Sequence, residues 1–127
     1  MILLDTSVLI NYFRKQKKED TFFYYLAGLN EPLAISSITK YEILIGKKAG
    51  QELFWESLLA SLILFPFGDK EASEAADIQR YLLHQNKIIG FGDIAIGATA
   101  KANGLKLATL NTKHFERIPQ LILIEEN

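Results

Sequence analysis

The chain has 127 residues, 49% of them hydrophobic, so it can bury the core of one globular domain and does not have the composition of a disordered protein. It contains no cysteine, which excludes disulfide bonds and thiolate-bound metals and leaves oxygen-ligated Mg²⁺ or Mn²⁺ open. Its formal net charge of −1 excludes a general attraction to nucleic acid, so any such contact must depend on a local basic patch or a bound metal.

The first half of the chain alternates between short apolar runs and helical patterns. Residues 1–4 form an apolar run typical of a buried strand, and Asp5-Thr6-Ser7 supplies side chains suited to the N-cap of a helix. The pattern then predicts helices from Asp20 or Thr21 to Leu29, from Ser36 or Ser37 to Gly46 and from Gly50 to Ser61, with a strand at 33–35.

The second half continues this alternation. It predicts strands at 62–65, 105–109 and 121–124, a helix at 70–85, and a small-residue helix at 93–102 after a flexible turn at 90–92. Short apolar strands that alternate with helices indicate a parallel sheet with helices on both faces. We therefore expect a single three-layer α/β/α domain over residues 1–127, with a central parallel sheet of four to five strands.

The apolar runs indicate a cytoplasmic protein without a membrane segment. Residues 1–4 lack a basic leader, which favours a strand over a signal peptide. The longest apolar run, 58–67, is interrupted by Ser61 and Pro66 and is too short to span a bilayer.

Polar residues stand where the predicted strands end or helices begin. In parallel sheets a ligand binds beyond the carboxyl ends of the strands, and Asp5 and Asn111 fall at that edge. Asp93 opens a predicted helix whose N-terminus faces the same edge. Taken singly, each of these residues is also a good helix N-cap.

Glu42 is harder to explain as a capping residue. On its predicted helix it shares a face with Ile38 and Ile45, and no basic residue is spaced to pair with it locally. A carboxylate in such a stripe is unfavourable unless it is compensated, so a bound divalent cation is preferred over a buried ion pair. Two ions about 4 Å apart would suit an in-line phosphoryl displacement, and one ion is the simpler arrangement.

Motifs around these polar residues cover nearly the whole chain, at residues 2–10, 37–46, 93–100 and 109–119. In this order and spacing they resemble the PIN-domain family, particularly the VapC-like ribonuclease toxins of prokaryotic toxin–antitoxin pairs. The resemblance implies a PIN-like fold and a divalent-metal-dependent endoribonuclease. The carboxylate cluster, and the lack of a histidine pair placed for acid–base work, predict that metal-activated water attacks the RNA and leaves 5′-phosphate and 3′-hydroxyl ends.

The resemblance also assigns the site residues. Asp5, Glu42 and Asp93 match the acidic metal positions of the family, with Mg²⁺ or Mn²⁺ as the cofactor. Asn111 matches the fourth catalytic position, where the family carries Asp or Asn. Its neutral amide weakens a second metal site, so the resemblance leaves one or two ions open. Thr6 and Thr109 are expected to support the acidic residues.

Partners follow from the resemblance and from the aromatic residues. The family implies an RNA substrate, a cognate antitoxin that lies across the early helices, and a homodimer. The sequence has aromatic residues at 22–25 and at Phe54 and Trp55. The core is not expected to bury all of them, so the remainder predicts a partner surface. Polar replacements at Phe22 or Tyr25 are expected to weaken association. The chain has only two histidines, and neither is expected to lie beside a predicted carboxylate, which disfavours a histidine-based nuclease.

The basic run at 14–18 is either a solvated loop or a rim that follows RNA phosphates.

A phosphoacceptor signalling domain is a competing interpretation from a different class of protein. It needs a paired acid after the first strand and an Asp at the end of the third. The chain has Asp5-Thr6 and Leu64-Phe65-Pro66 there and lacks both. A structure-specific DNA nuclease and a non-catalytic PIN-like module that binds RNA or protein are the functions that compete with a ribonuclease.

Overall fold

The structure, a computed structural model, describes residues 1–126, so of the expected domain only Asn127 lies outside the described residues. Within them, parallel strands form one five-stranded sheet in the order β3-β2-β1-β4-β5. The strands are β1 (Ile2–Leu4), β2 (Leu33–Ser36), β3 (Ile63–Phe65), β4 (Lys106–Thr109) and β5 (Leu123–Glu125).

Helices connect these strands. They are α1 (Thr6–Arg14), α2 (Phe22–Ala27), α3 (Ser37–Gly46), α4 (Glu52–Ala60), α5 (Asp69–His84), α6 (Phe91–Ala102) and α7 (Thr112–Phe115), with a 3₁₀ turn at Lys18–Asp20. No helix within residues 1–126 has the length and apolar character that crossing a membrane requires.

The core lies on both faces of the sheet. Leu3 of β1 packs into a cluster with residues of α5 and α6, such as Ile78 and Ile96. Its neighbours Ile2 and Leu4 point the other way, into a cluster with residues of α1, α2 and α4. All the β1 residues are fully buried, which explains why this strand is apolar without alternation. The predicted three-layer α/β/α fold with a parallel sheet is confirmed.

The aromatic residues of the early helices are mostly core residues, which corrects the surface predicted from the sequence. Phe22 is 1% exposed and Trp55 is 3% exposed. Rings of α1, α2 and α4 pack against one another. The ring centroid of Phe13 lies 5.0 Å from those of both Phe54 and Trp55. In the aromatic run at 22–25 the exposed rings are those of Tyr24 and Tyr25, at 56% and 53%.

The strand order places a topological switch point at β1. From β1 the chain passes to β2 on one side, and it later adds β4 on the other side. The carboxyl ends of β1 and β4 meet there, because Leu4 pairs with Ala108 and the backbone N–H of Asp5 donates to the Ala108 carbonyl across 2.9 Å. This is the position at which open α/β sheets bind ligands.

Candidate active site

Asp5 is fixed in a buried position at this switch point. It follows β1 directly and is 2% exposed. Its Oδ2 accepts hydrogen bonds from Ser7 Oγ at 2.6 Å and from Thr109 Oγ1 at 2.8 Å. Although Asp5 occupies the N-cap position of α1, its side chain makes no capping hydrogen bond. The capping explanation is therefore wrong for this carboxylate.

The charge of Asp5 is uncompensated. Burial raises its pKa above the ordinary value, the hydrogen bonds from Ser7 and Thr109 lower it in part, and the nearby Asp93 carboxylate raises it further. Within residues 1–126, no lysine or arginine forms an ion pair with Asp5. A bound cation would supply the missing compensation.

Ser7 is a supporting residue that the sequence interpretation did not assign. Its hydroxyl donates to Asp5 and accepts the backbone N–H of Leu110 at 3.1 Å. It thereby ties the start of α1 to the segment after β4. The predicted support from Thr109 is confirmed by its hydrogen bond to Asp5, and Thr109 Oγ1 also accepts the backbone N–H of Asn111 at 2.8 Å.

Glu42 reaches the same region from α3. Its Oε1 accepts a hydrogen bond of 2.6 Å from the hydroxyl of Thr6, which confirms the predicted supporting role of Thr6. The other oxygen, Oε2, lies so close to Gly92 that a Cβ atom there would be 2.8 Å away. The sequence predicts a flexible turn at Gly92, but this prediction is wrong, because Gly92 lies inside α6 and leaves room for the Glu42 carboxylate.

Replacing Gly92 by Ala should displace Glu42 with little effect on folding. The clash involves the end of a mobile side chain, so the free energy of unfolding should change by less than about 1 kcal/mol. Catalytic activity should fall on the order of tenfold, since a misplaced carboxylate weakens positioning. Thermal unfolding checks the first expectation, and the rate of RNA cleavage, the activity that the family resemblance implies, checks the second. Full activity in the variant would show that the approach of Glu42 to α6 is unimportant.

Asp93 is paired with a histidine. It lies in the first turn of α6 rather than at the N-cap, which is Gly90, so its capping interpretation is also wrong. Its Oδ2 is 2.8 Å from His114 Nδ1. Because an ionised carboxylate only accepts hydrogen bonds, the contact with such a carboxylate requires the proton on Nδ1, and it leaves Nε2 facing away from Asp93. The expectation that neither histidine lies beside a predicted carboxylate is wrong for His114, because α7 brings it back to α6.

Asp5, Glu42, Asp93 and Asn111 line one open cleft of about 550 Å³. The carboxylates lie in its partly buried portion, and Asn111 is exposed. Asn111 is at the N-cap position of α7 without a capping hydrogen bond from its side chain. All the predicted site residues thus share a single cleft.

The chemistry of this cleft fits a hydrated divalent cation better than a fully protein-bound one. Within residues 1–126 no group of three or more Asp, Glu or His side chains is close enough to hold an ion as a preformed set. Mg²⁺, however, keeps several water ligands and is commonly held by only one or two carboxylates. The cleft offers two such carboxylates, the buried Asp5 and the neighbouring Asp93, so its oxygen ligands suit a hydrated Mg²⁺ ion.

The chain resembles known proteins along nearly its whole length. Residues 2–121 match the PIN domain family. Ribonuclease VapC10 of Mycobacterium tuberculosis is 36% identical over 121 residues, covering 95% of this chain and 90% of that protein. Ribonuclease VapC of Rickettsia bellii is 34% identical over 128 residues, covering 94% of this chain and 92% of that protein.

The fold has a matching experimental structure. In the crystal structure of VapBC2 from Rickettsia felis bound to a DNA fragment from their promoter, one chain superimposes with a TM-score of 0.86 and 31% identity, covering 100% of both chains. With the family match and these relatives aligned along nearly the whole sequence, the chain belongs to the PIN-domain family, among its VapC-like members.

Proposed function

We propose that this PIN-domain protein is an endoribonuclease that depends on Mg²⁺ or Mn²⁺ and acts as the toxin of a toxin–antitoxin pair. The observation that carries the proposal is the cleft in which buried Asp5 lies near Asp93 and, within residues 1–126, forms no ion pair with a lysine or arginine. Relatives named ribonucleases, aligned over nearly the whole chain, support RNA as the substrate.

Asp5, Asp93 and Glu42 would hold the cation, and their hydrogen-bonded neighbours keep them in place. Ser7 and Thr109 fix one oxygen of Asp5 and leave Oδ1 for binding. His114 fixes Oδ2 of Asp93 in the same way. When bound, the cation supplies activation of a water nucleophile and neutralisation of charge at the scissile phosphate.

Asn111 contributes a neutral polar group at the rim of the cleft. We assign it to positioning the attacking water or to a weak second ion, since an amide binds a divalent cation less strongly than a carboxylate. No histidine pair is placed for acid–base cleavage through the ribose 2′-hydroxyl, because His114 is engaged with Asp93 and His84 ends α5.

The partners are an RNA substrate, a cognate antitoxin and a second copy of this chain. The similar Rickettsia felis structure is of VapBC2, and VapBC proteins form a family of toxin–antitoxin systems, which supports an antitoxin partner. We assign the exposed rings of Tyr24 and Tyr25 to the antitoxin surface, in place of the buried Phe22. We place the reaction in the cytoplasm because its substrate is RNA.

Cleavage of a single-stranded or looped RNA by the purified protein tests this function. Activity should be lost in EDTA, return with Mn²⁺, and yield 5′-phosphate and 3′-hydroxyl ends. The Asp93→Asn variant should be inactive, and Asp69→Asn, an exposed carboxylate outside the cleft, should be fully active. Activity that persists in EDTA, cyclic-phosphate ends, or cleavage of DNA in preference to RNA would contradict the proposal.

A further inference from the structure

A second, basic cleft adjoins the acidic one between α1 and α3. The two clefts share Ile10, Arg14 and Glu42 as walls. The second has a volume of about 250 Å³ and is bordered by Lys47 and Lys48, which follow α3. We call Arg14, Lys47 and Lys48 the basic cleft residues. The lining therefore changes from carboxylates to cations along one continuous depression.

The structure separates these cations from others that have a structural role. Lys18 donates to backbone carbonyls in the last turn of α1, and Lys17 pairs with Asp20 across 3.9 Å. In the described range, 1–126, none of the basic cleft residues takes part in an ion pair. Of the basic run at 14–18, Arg14 is thus the residue that borders the acidic cleft and remains available to a ligand.

Stabilisation of helix ends explains only part of this arrangement. Arg14 lies in the last turn of α1, and Lys47 is the C-cap residue of α3, where cations interact favourably with the helix dipole. The helix dipole favours a cation near the C-terminal end of each helix, but it does not determine on which side of the helix the cation lies. Here both ends open on the depression that contains Glu42.

We propose that the basic cleft residues bind the phosphate backbone of single-stranded RNA on one side of the scissile phosphate, which rests on the proposed function. The carboxylates repel RNA, and the net charge of −1 gives no general attraction, so local cations must hold the strand. Arg14, at the junction, offers a planar guanidinium that can bind a phosphate through two hydrogen bonds. Lys47 and Lys48 hold the adjacent phosphates as point charges.

RNA binding by the full chain in EDTA, where cleavage is blocked, tests this assignment. The anisotropy of a fluorescein-labelled single-stranded RNA should report a Kd on the order of three- to tenfold higher for Arg14→Ala and for Lys47→Ala/Lys48→Ala. The slope of log K against log salt should become shallower by about 0.7 for each lost phosphate contact. The matched control is Lys70→Ala/Lys87→Ala, which removes exposed lysines that border neither cleft.

Cleavage with Mn²⁺ supplies the second measurement. The basic cleft variants should cleave slowly at low RNA concentration and approach the wild-type rate at saturation, which is an effect on KM rather than on kcat. Wild-type cleavage combined with an unchanged Kd and salt slope in the variants would overturn this inference and leave the proposed function standing. Failure of the wild-type chain to bind RNA in EDTA would overturn this inference alone if Mn²⁺-dependent cleavage persists, and would overturn both if cleavage is absent as well.

Two further outcomes are distinct. If the variants bind RNA normally but lose affinity for the antitoxin, the cleft belongs to the antitoxin and the inference is wrong. If the wild-type chain binds RNA without cleaving it, and the variants bind more weakly with a shallower salt slope, the basic cleft is supported while the proposed nuclease function fails.

Discussion

Replacing Asp5 by Asn should abolish RNA cleavage and, in the absence of metal, make the fold more stable. Cleavage should fall by more than about 100-fold, since even the partners of metal ligands contribute about 10- to 100-fold. Stability should rise because burial and the Asp93 carboxylate raise the pKa of Asp5. The folded chain therefore carries an unfavourable charge that the Asn side chain does not have.

The sign of the pH dependence follows from this shift. The unfolded chain loses the Asp5 proton near the ordinary carboxyl pKa of about 4, whereas the folded chain retains it to higher pH. Folding stability therefore decreases as pH rises from that value through the raised pKa, and the whole cost is present above it. The Asn variant should lack this decrease.

Melting temperatures in EDTA from pH 4 to pH 8 check this pH dependence. The Asp5→Asn protein should melt above the wild type at neutral pH, and the difference should shrink toward acidic pH. Glu56→Gln, at an exposed position in the middle of α4, is the control and should follow the wild type. A lower neutral melting temperature for Asp5→Asn would show that its hydrogen bonds to Ser7 and Thr109 outweigh the cost of the charge.

Replacing Phe22 by Ala should destabilise the fold by about 3–5 kcal/mol, the range for a buried aromatic residue. Phe22 is 1% exposed and lies in the core with Leu26 and Val8. Tyr25 is the matched control. Its ring stacks on that of Phe22 with a centroid distance of 6.3 Å, but its side chain is 53% exposed. Tyr25→Ala should change stability by less than about 1 kcal/mol.

Urea unfolding followed by circular dichroism measures both effects, and antitoxin affinity separates them. Phe22→Ala should shift the unfolding midpoint strongly, whereas Tyr25→Ala should weaken antitoxin binding at nearly unchanged stability. A wild-type midpoint for Phe22→Ala would contradict its assignment to the core. Unchanged antitoxin binding in Tyr25→Ala would remove Tyr25 from the proposed partner surface.

The sequence predicted the fold well because its signals are local. Strands buried on both faces must be apolar throughout, and helices between them show the helical period, so the alternation alone indicated a parallel sheet. The convergence of Asp5 and Asn111 was also predictable, since both follow strands whose carboxyl ends share one edge. Asp93 was expected at the same edge because it opens a predicted helix whose N-terminus faces that edge. Placing Glu42 with them depended on the family resemblance, because the packing of its helix is not visible in the sequence.

The remaining features depend on how helices pack, and sequence spacing does not encode that. His114 meets Asp93 only because α7 returns toward α6. Gly92 matters through a contact with Glu42, which is distant in sequence, so its local pattern showed only a turn. The aromatic residues were predicted to exceed the capacity of the core, but rings of neighbouring helices bury one another, such as Phe13 against Trp55.

The most direct test of the metal site is X-ray diffraction from crystals of the protein soaked in Mn²⁺. We predict a strong anomalous peak in the cleft between Asp5 and Asp93, with Glu42 bound directly or through water, and no such peak in Asp5→Asn crystals. A wild-type map without a peak in the cleft, at a Mn²⁺ concentration that supports RNA cleavage, would contradict the assignment of these carboxylates as the metal site.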